Sequence, residues 1–229
     1  MIPLRDANPS YTTPLVTYAL ILINALVFFY QLSLGEDLST FFSYFAVIPA
    51  KYFYLAGADG FNLFERFYPF FTSQFLHGGF FHIIGNMWFL WIFGDNIEDR
   101  LGHFKFIAFY LLCGLAAGLA HAYTNPASQI PTVGASGAIA GVMGAYTILF
   151  PRARVKTLIP IFYYFHIVDL PAFLFLGIWF LMQFLSGAAS LAAGVAAGGV
   201  AWWAHIGGFV VGVVLILIIP KRKTRSQFP

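Results

Sequence analysis

The chain has 229 residues, of which 60% are hydrophobic and 9% charged, and its formal net charge is +3. With the 22 glycines added, about 70% of it is apolar, against roughly 45–50% in a soluble domain with about 25% charged residues. Too few polar side chains remain to cover a water-soluble globule, and a disordered chain is excluded more firmly. The composition leaves an all-α polytopic membrane protein. At about 20 residues per span there is room for five to seven helices and for no soluble domain beside them, so residues 1–229 read as a single membrane-embedded unit. The basic residues sit in short clusters beside apolar runs, which is not a nucleic-acid signal. The one cysteine, Cys113, lies inside an apolar run and excludes an intramolecular disulfide.

The first apolar run, Leu15 to Leu34, is long enough to span and is not followed by a small-residue cleavage site. It reads as an uncleaved helix rather than a signal peptide. From Gly35 to about Phe75 the chain is aromatic-rich but broken by Glu36, Asp37, Pro49, Lys51, Asp59, Gly60, Glu65, Arg66 and Pro69, which suggests a loop lying in the membrane interface. The second span is short, Phe80 to Phe93, and the third runs from Phe104 to Tyr123. Pro126 and Pro131 punctuate the next connection, and the fourth span runs from Ala135 to Phe150 before Pro151. Leu158 to Phe165 is apolar but holds Pro160, so the fifth span is placed at Pro171 to Leu185. Ser186 to Gly199 reads as a small-residue connection, and Val200 to Ile219 as the sixth span, closed by Pro220.

Six spans with an inside N-terminus put Arg5, Arg100, Lys105, Arg152, Arg154, Lys156, Lys221, Arg222, Lys223 and Arg225 on the inner side. Of the 12 Lys and Arg residues only Lys51 and Arg66 then fall outside. This distribution predicts both termini in the cytoplasm of a multi-pass cell-membrane protein.

Polar groups inside spans are costly, so each calls for a reason. In this topology the second, fourth and sixth spans all enter from outside. His77, His82 and Asn86, then Ser136, then His205 come to similar depth in the outer half. Alone, Ser136 reads as a small helix-packing residue, His205 as a buried hydrogen-bonding histidine and Asn86 as a tie between helices. His77 alone reads as a loop-holding residue. Their convergence points instead to chemistry. A serine hydroxyl becomes a nucleophile when a base takes its proton, and His205 is the candidate base. The acids Asp95, Glu98, Asp99 and Asp169 fall towards the inside, so a Ser–His dyad is expected rather than a triad. His82 and Asn86 are four apart, on one helical face. With the free N–H groups around Gly134, Ala135 and Ser136, they can stabilise an oxyanion. Zinc is the competing use of these histidines: His82 and His205 could be ligands and His77 could supply a third, but no Cys and no acid is expected at their depth and no HExxH spacing exists, so no metal and no cofactor is expected.

The helices that carry Ser136 and His205 also carry small residues at four-residue spacing, Gly137 with Gly141 and Gly208 with Gly212. Facing small residues let helix backbones approach closely, which a nucleophile and base on different helices require.

These residues resemble the motifs of the rhomboid intramembrane serine proteases, in their basic six-helix bacterial-type form. Gly134-Ala135-Ser136-Gly137 resembles that family's GxSG, and Ala204-His205-Ile206-Gly207-Gly208 its AHxxG. His82-Ile83-Ile84-Gly85-Asn86 resembles its HxxxN, with His77 matching a further histidine. Glu98-Asp99-Arg100-Leu101-Gly102 resembles its ExRxG turn after the second helix. The resemblance implies a six-helix bundle that hydrolyses a peptide bond near the outer end of a substrate's transmembrane helix, with Ser136 and His205 catalytic and His82 and Asn86 at the oxyanion. It implies transmembrane proteins as substrates within the lipid bilayer, with no obligatory protein partner, and a gating loop at Ser186 to Gly199. One position departs. Several family members carry a tyrosine one turn after the serine, stacked on the histidine, where this chain has Ala140; other packing, such as an aromatic from the second or fifth span, must then orient His205. Two alternatives are an inactive relative that binds membrane clients, which would lose Ser or His, and a transporter, which would show repeats or an ionisable path across the bilayer.

Overall fold

The computed structural model describes residues 1–54, 63–192 and 200–222. Its helices are α1 (Leu15–Ser33), α2 (Leu38–Phe45), α3 (Pro49–Tyr54), α4 (Leu63–Thr72), α5 (Phe80–Leu101), α6 (His103–Thr124), α7 (Ser136–Leu149), α8 (Ala172–Ala192) and α9 (Trp202–Ile218). Three of them are long and apolar enough to cross a bilayer by length and composition: α1, α6 and α8 over Ala172–Leu191. Helices α7 and α9 are apolar but shorter. The outward surface is what lipid requires. In α1 the inward stripe is Thr17, Leu20, Asn24, Phe28 and Gln31, at helical spacing. Leu22, Leu26 and Phe29 on the other side are 59%, 59% and 65% exposed. Polar groups face protein and apolar ones face out, as in a helix whose solvent is hydrocarbon.

At the centre is α7, buried from Gly137 through Tyr146. Its 14 residues rise about 21 Å, less than a hydrocarbon core of about 30 Å. Helices α5, α6, α8 and α9 pack around it. A methyl group on Gly208 would lie 2.0 Å from the Gly137 carbonyl oxygen, and one on Gly212 2.1 Å from that of Gly141. On the α6 side, a methyl on Gly137 would meet the Ala117 side chain at 2.4 Å and one on Gly141 the Cys113 sulfur at 2.5 Å. Bare backbone is therefore what brings α7 against α9.

The structure departs from the sequence reading at four places. The chain is mostly helical rather than all-α. Strands β1 (Ile2–Asp6), β2 (Arg154–Ile161) and β3 (Tyr164–Pro171) form an antiparallel sheet in the order β1-β2-β3. The apolar segment Leu158 to Phe165 is thus not a membrane helix but the turn end of a hairpin, turning at Phe162 and Tyr163 between the paired Ile161 and Tyr164. Val155 and Thr157 are buried while Arg154 and Lys156 point away, the period of two that a half-covered strand shows. Lys156 faces Asp169 across the ladder at 3.7 Å. The sheet is pinned to the helices through β1: Trp88 donates its indole N–H to the Pro3 carbonyl at 2.6 Å, and the Tyr146 hydroxyl donates to Asp6.

The second departure is α5, which does not stop at Phe93 but continues to Leu101, because Ile97, Glu98 and Leu101 keep the inward spacing. Glu98 and Arg100 therefore lie in its last turn, not in a turn after it. Gly102, at φ 78°, ends the helix in the left-handed region that favours glycine. The third concerns the expected connection from Ser186. Helix α8 runs on to Ala192, since its alanines are good helix formers. Residues 193–199 of that connection lie outside the described residues. The fourth is the first loop, which is folded into α2, α3 and α4, with Val47 bridging to Thr132.

Glu98 is fully buried and accepts from the Val16 and Thr17 main-chain N–H groups at 2.9 and 2.8 Å and from the Thr17 hydroxyl at 2.7 Å. It caps α1, which follows Pro14 and has no side-chain cap of its own. His103 meets the same carboxylate. Glu98→Ala leaves three donors without their acceptor, the two of Thr17 buried and that of Val16 partly so. We expect a loss of about 2–4 kcal/mol in folding stability, read as a lowered unfolding temperature in detergent. Asp99→Ala, which removes an exposed bond to Thr12, should cost less than about 1 kcal/mol.

Candidate active site

Ser136 is the first residue of α7 and His205 lies in the first turn of α9. The close contact of these two helices sets the spacing of their side chains: Ser136 Oγ is 2.8 Å from His205 Nε2. On the other side of the ring, Nδ1 is 2.8 Å from Oε1 of Gln183, a buried residue of α8. Trp179, one turn earlier in α8, lies against the imidazole with ring centroids 5.8 Å apart and planes tilted by 36°. Trp202 meets it edge-on at 6.4 Å. Ala140 is fully buried in α7 and offers the ring nothing to stack on; an aromatic from α8 stands beside the ring instead.

The chain before Ser136 is shaped by Gly134. Its φ is 127°, and a methyl group there would lie 2.7 Å from His82 Nε2 and 3.5 Å from Asn86 Nδ2. Both reasons require glycine. Its N–H donates to the Ser73 carbonyl at 2.9 Å, tying the segment to the chain that leads into α5. His82 and Asn86 thus come up against the backbone immediately before the serine. The main-chain N–H of Gly78 donates to His82 Nδ1 at 3.3 Å. A neutral His82 then carries its proton on Nε2, the nitrogen that faces Gly134. The buried Asn86 Nδ2 has no hydrogen-bond acceptor among the described residues. Two side-chain donors are thereby directed to one place, and His82, Asn86, Ser136 and His205 all line one cavity of about 680 Å³.

His77 does not reach that cavity. Its main chain is held on both sides by Gln31, whose amide accepts from the His77 N–H at 3.0 Å and donates to its carbonyl at 2.9 Å. Its buried ring stands edge-on to His82 at 5.1 Å, so it supports His82. Glu98 and Arg100 are not at the site. Glu98 lies sixteen residues beyond His82 on α5, roughly 24 Å along the axis, and Arg100 stands over the Phe150 ring. Gly137, Gly141, Gly208 and Gly212 act through helix approach, as described above. His121 of α6 and Trp179 line the cavity as well, and sequence reasoning singled out neither. Gln183 belongs to none of the sequence motifs, and unlike Asn86 it has no candidate site residue on its own helix. The available signal was a lone amide in an apolar helix, one turn after Trp179. Among the described residues no three His, Cys, Asp or Glu side chains cluster as a metal would need.

A base and a hydroxyl in hydrogen-bond contact, beside two converging donors in a wide cavity, suit nucleophilic attack followed by stabilisation of an oxyanion. A family model described as the rhomboid domain matches residues 65–222. The chain is 32% identical over 161 residues to "Rhomboid protein 1, mitochondrial" of Saccharomyces cerevisiae, covering 68% of this chain and 42% of the yeast protein. It is 29% identical over 212 residues to "Rhomboid-like protein 11, chloroplastic" of Arabidopsis thaliana, covering 89% and 68%. It is 34% identical over 97 residues to the human "Presenilin-associated rhomboid-like protein, mitochondrial", covering 41% and 26%. The chain thus spans less than half the length of the yeast and human relatives. The family match takes in α5 through α9, including the helices that carry His82, Asn86, Ser136, Gln183 and His205, and the chain belongs to the rhomboid family of membrane proteins.

Proposed function

We propose that this protein is an intramembrane serine endopeptidase that cuts a peptide bond in or near the outer end of a substrate's transmembrane helix through a Ser136–His205 dyad. The observation that carries this reading is the 2.8 Å contact between Ser136 Oγ and His205 Nε2 inside the cavity shared with His82 and Asn86. In the proposed reaction His205 Nε2 takes the Ser136 hydroxyl proton as Oγ attacks the scissile carbonyl carbon. The oxygen gains negative charge and is held by Asn86 Nδ2–H, His82 Nε2–H and the Ser136 main-chain N–H. His205 then gives its proton to the leaving amine. Water, activated by the same nitrogen, releases the acyl group and restores Ser136. No metal or cofactor enters. A helical substrate hides its carbonyls in hydrogen bonds, so a segment weakened by glycine or proline is the one this site can open.

The unit is proposed as a single domain over 1–229, in the six-crossing bacterial-type form, with α1, α5, α6, α7, α8 and α9 spanning the membrane. Both termini are placed in the cytoplasm on the strength of the Lys and Arg distribution, and the cavity opens towards the outer face.

A fluorophosphonate should add covalently to Ser136 of the detergent-solubilised protein and not to Ser136→Ala, with chelators leaving the reaction unchanged. Absence of adduct on the folded wild-type protein, or adduct on another residue, overturns the assignment. Asn86→Ala should lower turnover of a single-span reporter by about 10²- to 10³-fold with little change in KM, because the charge it serves exists only in the transition state. A stability loss with near-normal turnover of the folded fraction would make Asn86 a tie between helices only.

A further inference from the structure

We propose that Gln183 is the positioning residue of this site, and that its amide oxygen does the orienting work that a carboxylate does in a Ser–His–Asp triad. The inference rests on the Ser136–His205 reading and adds to it a third member on a third helix. The hydrogen bonds of the His205 ring run to Ser136 and to Gln183. An amide oxygen only accepts, so the Nδ1 facing Oε1 at 2.8 Å must carry the proton of the neutral ring. That leaves the Nε2 lone pair towards Ser136, the one tautomer in which His205 can act as a base. The opposite orientation of the amide would put the proton on Nε2 and disable it. Gln183 is buried, with 7% of its surface exposed, and Trp179 one turn away lies tilted against the ring, so hydrogen bond and ring contact come from one side of one helix. The amide is suited to its place. A carboxylate buried among apolar helices is costly to keep charged, whereas an amide fixes the tautomer without a buried charge. His82 of α5 and His121 of α6 are the other titratable groups lining the cavity.

Two variants test this on the whole protein in lipid nanodiscs. Gln183→Met keeps the volume and removes the acceptor; Gln183→Glu restores an acceptor and adds a charge. With 15N-labelled histidine, the wild-type His205 should report protonated Nδ1 and unprotonated Nε2, and Gln183→Met should lose that preference. The limiting rate of fluorophosphonate inactivation should fall about 10- to 100-fold in Gln183→Met, with the half-saturating concentration within about threefold. Gln183→Glu should recover most of the rate and move the acidic limb of its pH profile to higher pH, because a carboxylate stabilises the imidazolium. A wild-type rate in Gln183→Met, a wild-type tautomer spectrum in that variant, or protonated Nε2 in the wild type overturns the proposal. So does a loss in Gln183→Met that Gln183→Glu neither rescues nor shifts in pH. Failure of the protease reading is seen separately, as continued labelling of Ser136→Ala, and the histidine spectrum reads the Gln183 contact in either case.

Discussion

Ser136→Ala and His205→Ala should each reduce cleavage of a transmembrane reporter by about 10⁴- to 10⁶-fold, and the double variant should be no worse than either one. The two side chains share one hydrogen bond and one proton, so removing either partner disables both. The comparison must be made on folded protein, and the structure indicates that it can be. Ser136 begins α7 without capping it, and among the described residues its hydroxyl bonds only to His205, so the alanine leaves little empty space and no buried donor. Purified Ser136→Ala that still cleaves at more than a hundredth of the wild-type rate would remove Ser136 as the nucleophile. Additive losses in the double variant would mean that the two residues act independently.

Gly208→Ala should have the largest effect on the fold, and Gly212→Ala one nearly as large. In each the added methyl would sit about 2 Å from a backbone oxygen of α7, that of Gly137 or of Gly141. Backbone oxygens cannot rotate away, so the helices must separate by an ångström or more. Overpacking of this kind costs about 1–3 kcal/mol where side chains can give way, and more where they cannot; we expect about 3 kcal/mol or more for Gly208→Ala. Separation also draws His205, three residues before Gly208, away from Ser136, so the fluorophosphonate rate should fall in the fraction that remains folded. Gly177→Ala in α8 is the control, because a methyl there meets nothing within 4 Å and alanine favours the helix. Its unfolding temperature in detergent should be unchanged or raised. Equal stability of the Gly208 and Gly177 variants would contradict the backbone contact.

These predictions draw unequally on sequence and structure. That Gly208 and Gly212 are small is plain in the sequence; that their partners are the carbonyls of Gly137 and Gly141 is not. Glu98 and Arg100 show the limit of motif reading. Their pattern matched a turn after a helix, yet both lie inside α5, where buried Ile97 and Leu101 extend the helical period past the charged residues. The carboxylate at position 98 serves the start of α1, some eighty residues earlier in the chain. Its buried setting was illegible because two of its partners are main-chain N–H groups, which leave no mark on the sequence, and the Thr17 hydroxyl beside them is far off in the chain.

By itself the sequence determined a helical, membrane-embedded chain of the rhomboid family, read as all-α, because 9% charged residues cannot coat a soluble globule and the family motifs are local strings. Tertiary structure decided the rest. It turned an apolar stretch around Pro160 into a hairpin, because β1 from the far N-terminus was available to pair with β2. It brought Ser136 within hydrogen-bond reach of His205 through bare backbone contact between α7 and α9. It set Gln183, which belongs to none of the sequence motifs, against the one nitrogen that decides whether His205 can act as a base. Composition and periodicity record what each segment prefers, whereas contacts between segments depend on where the packed helices place groups far apart in the chain.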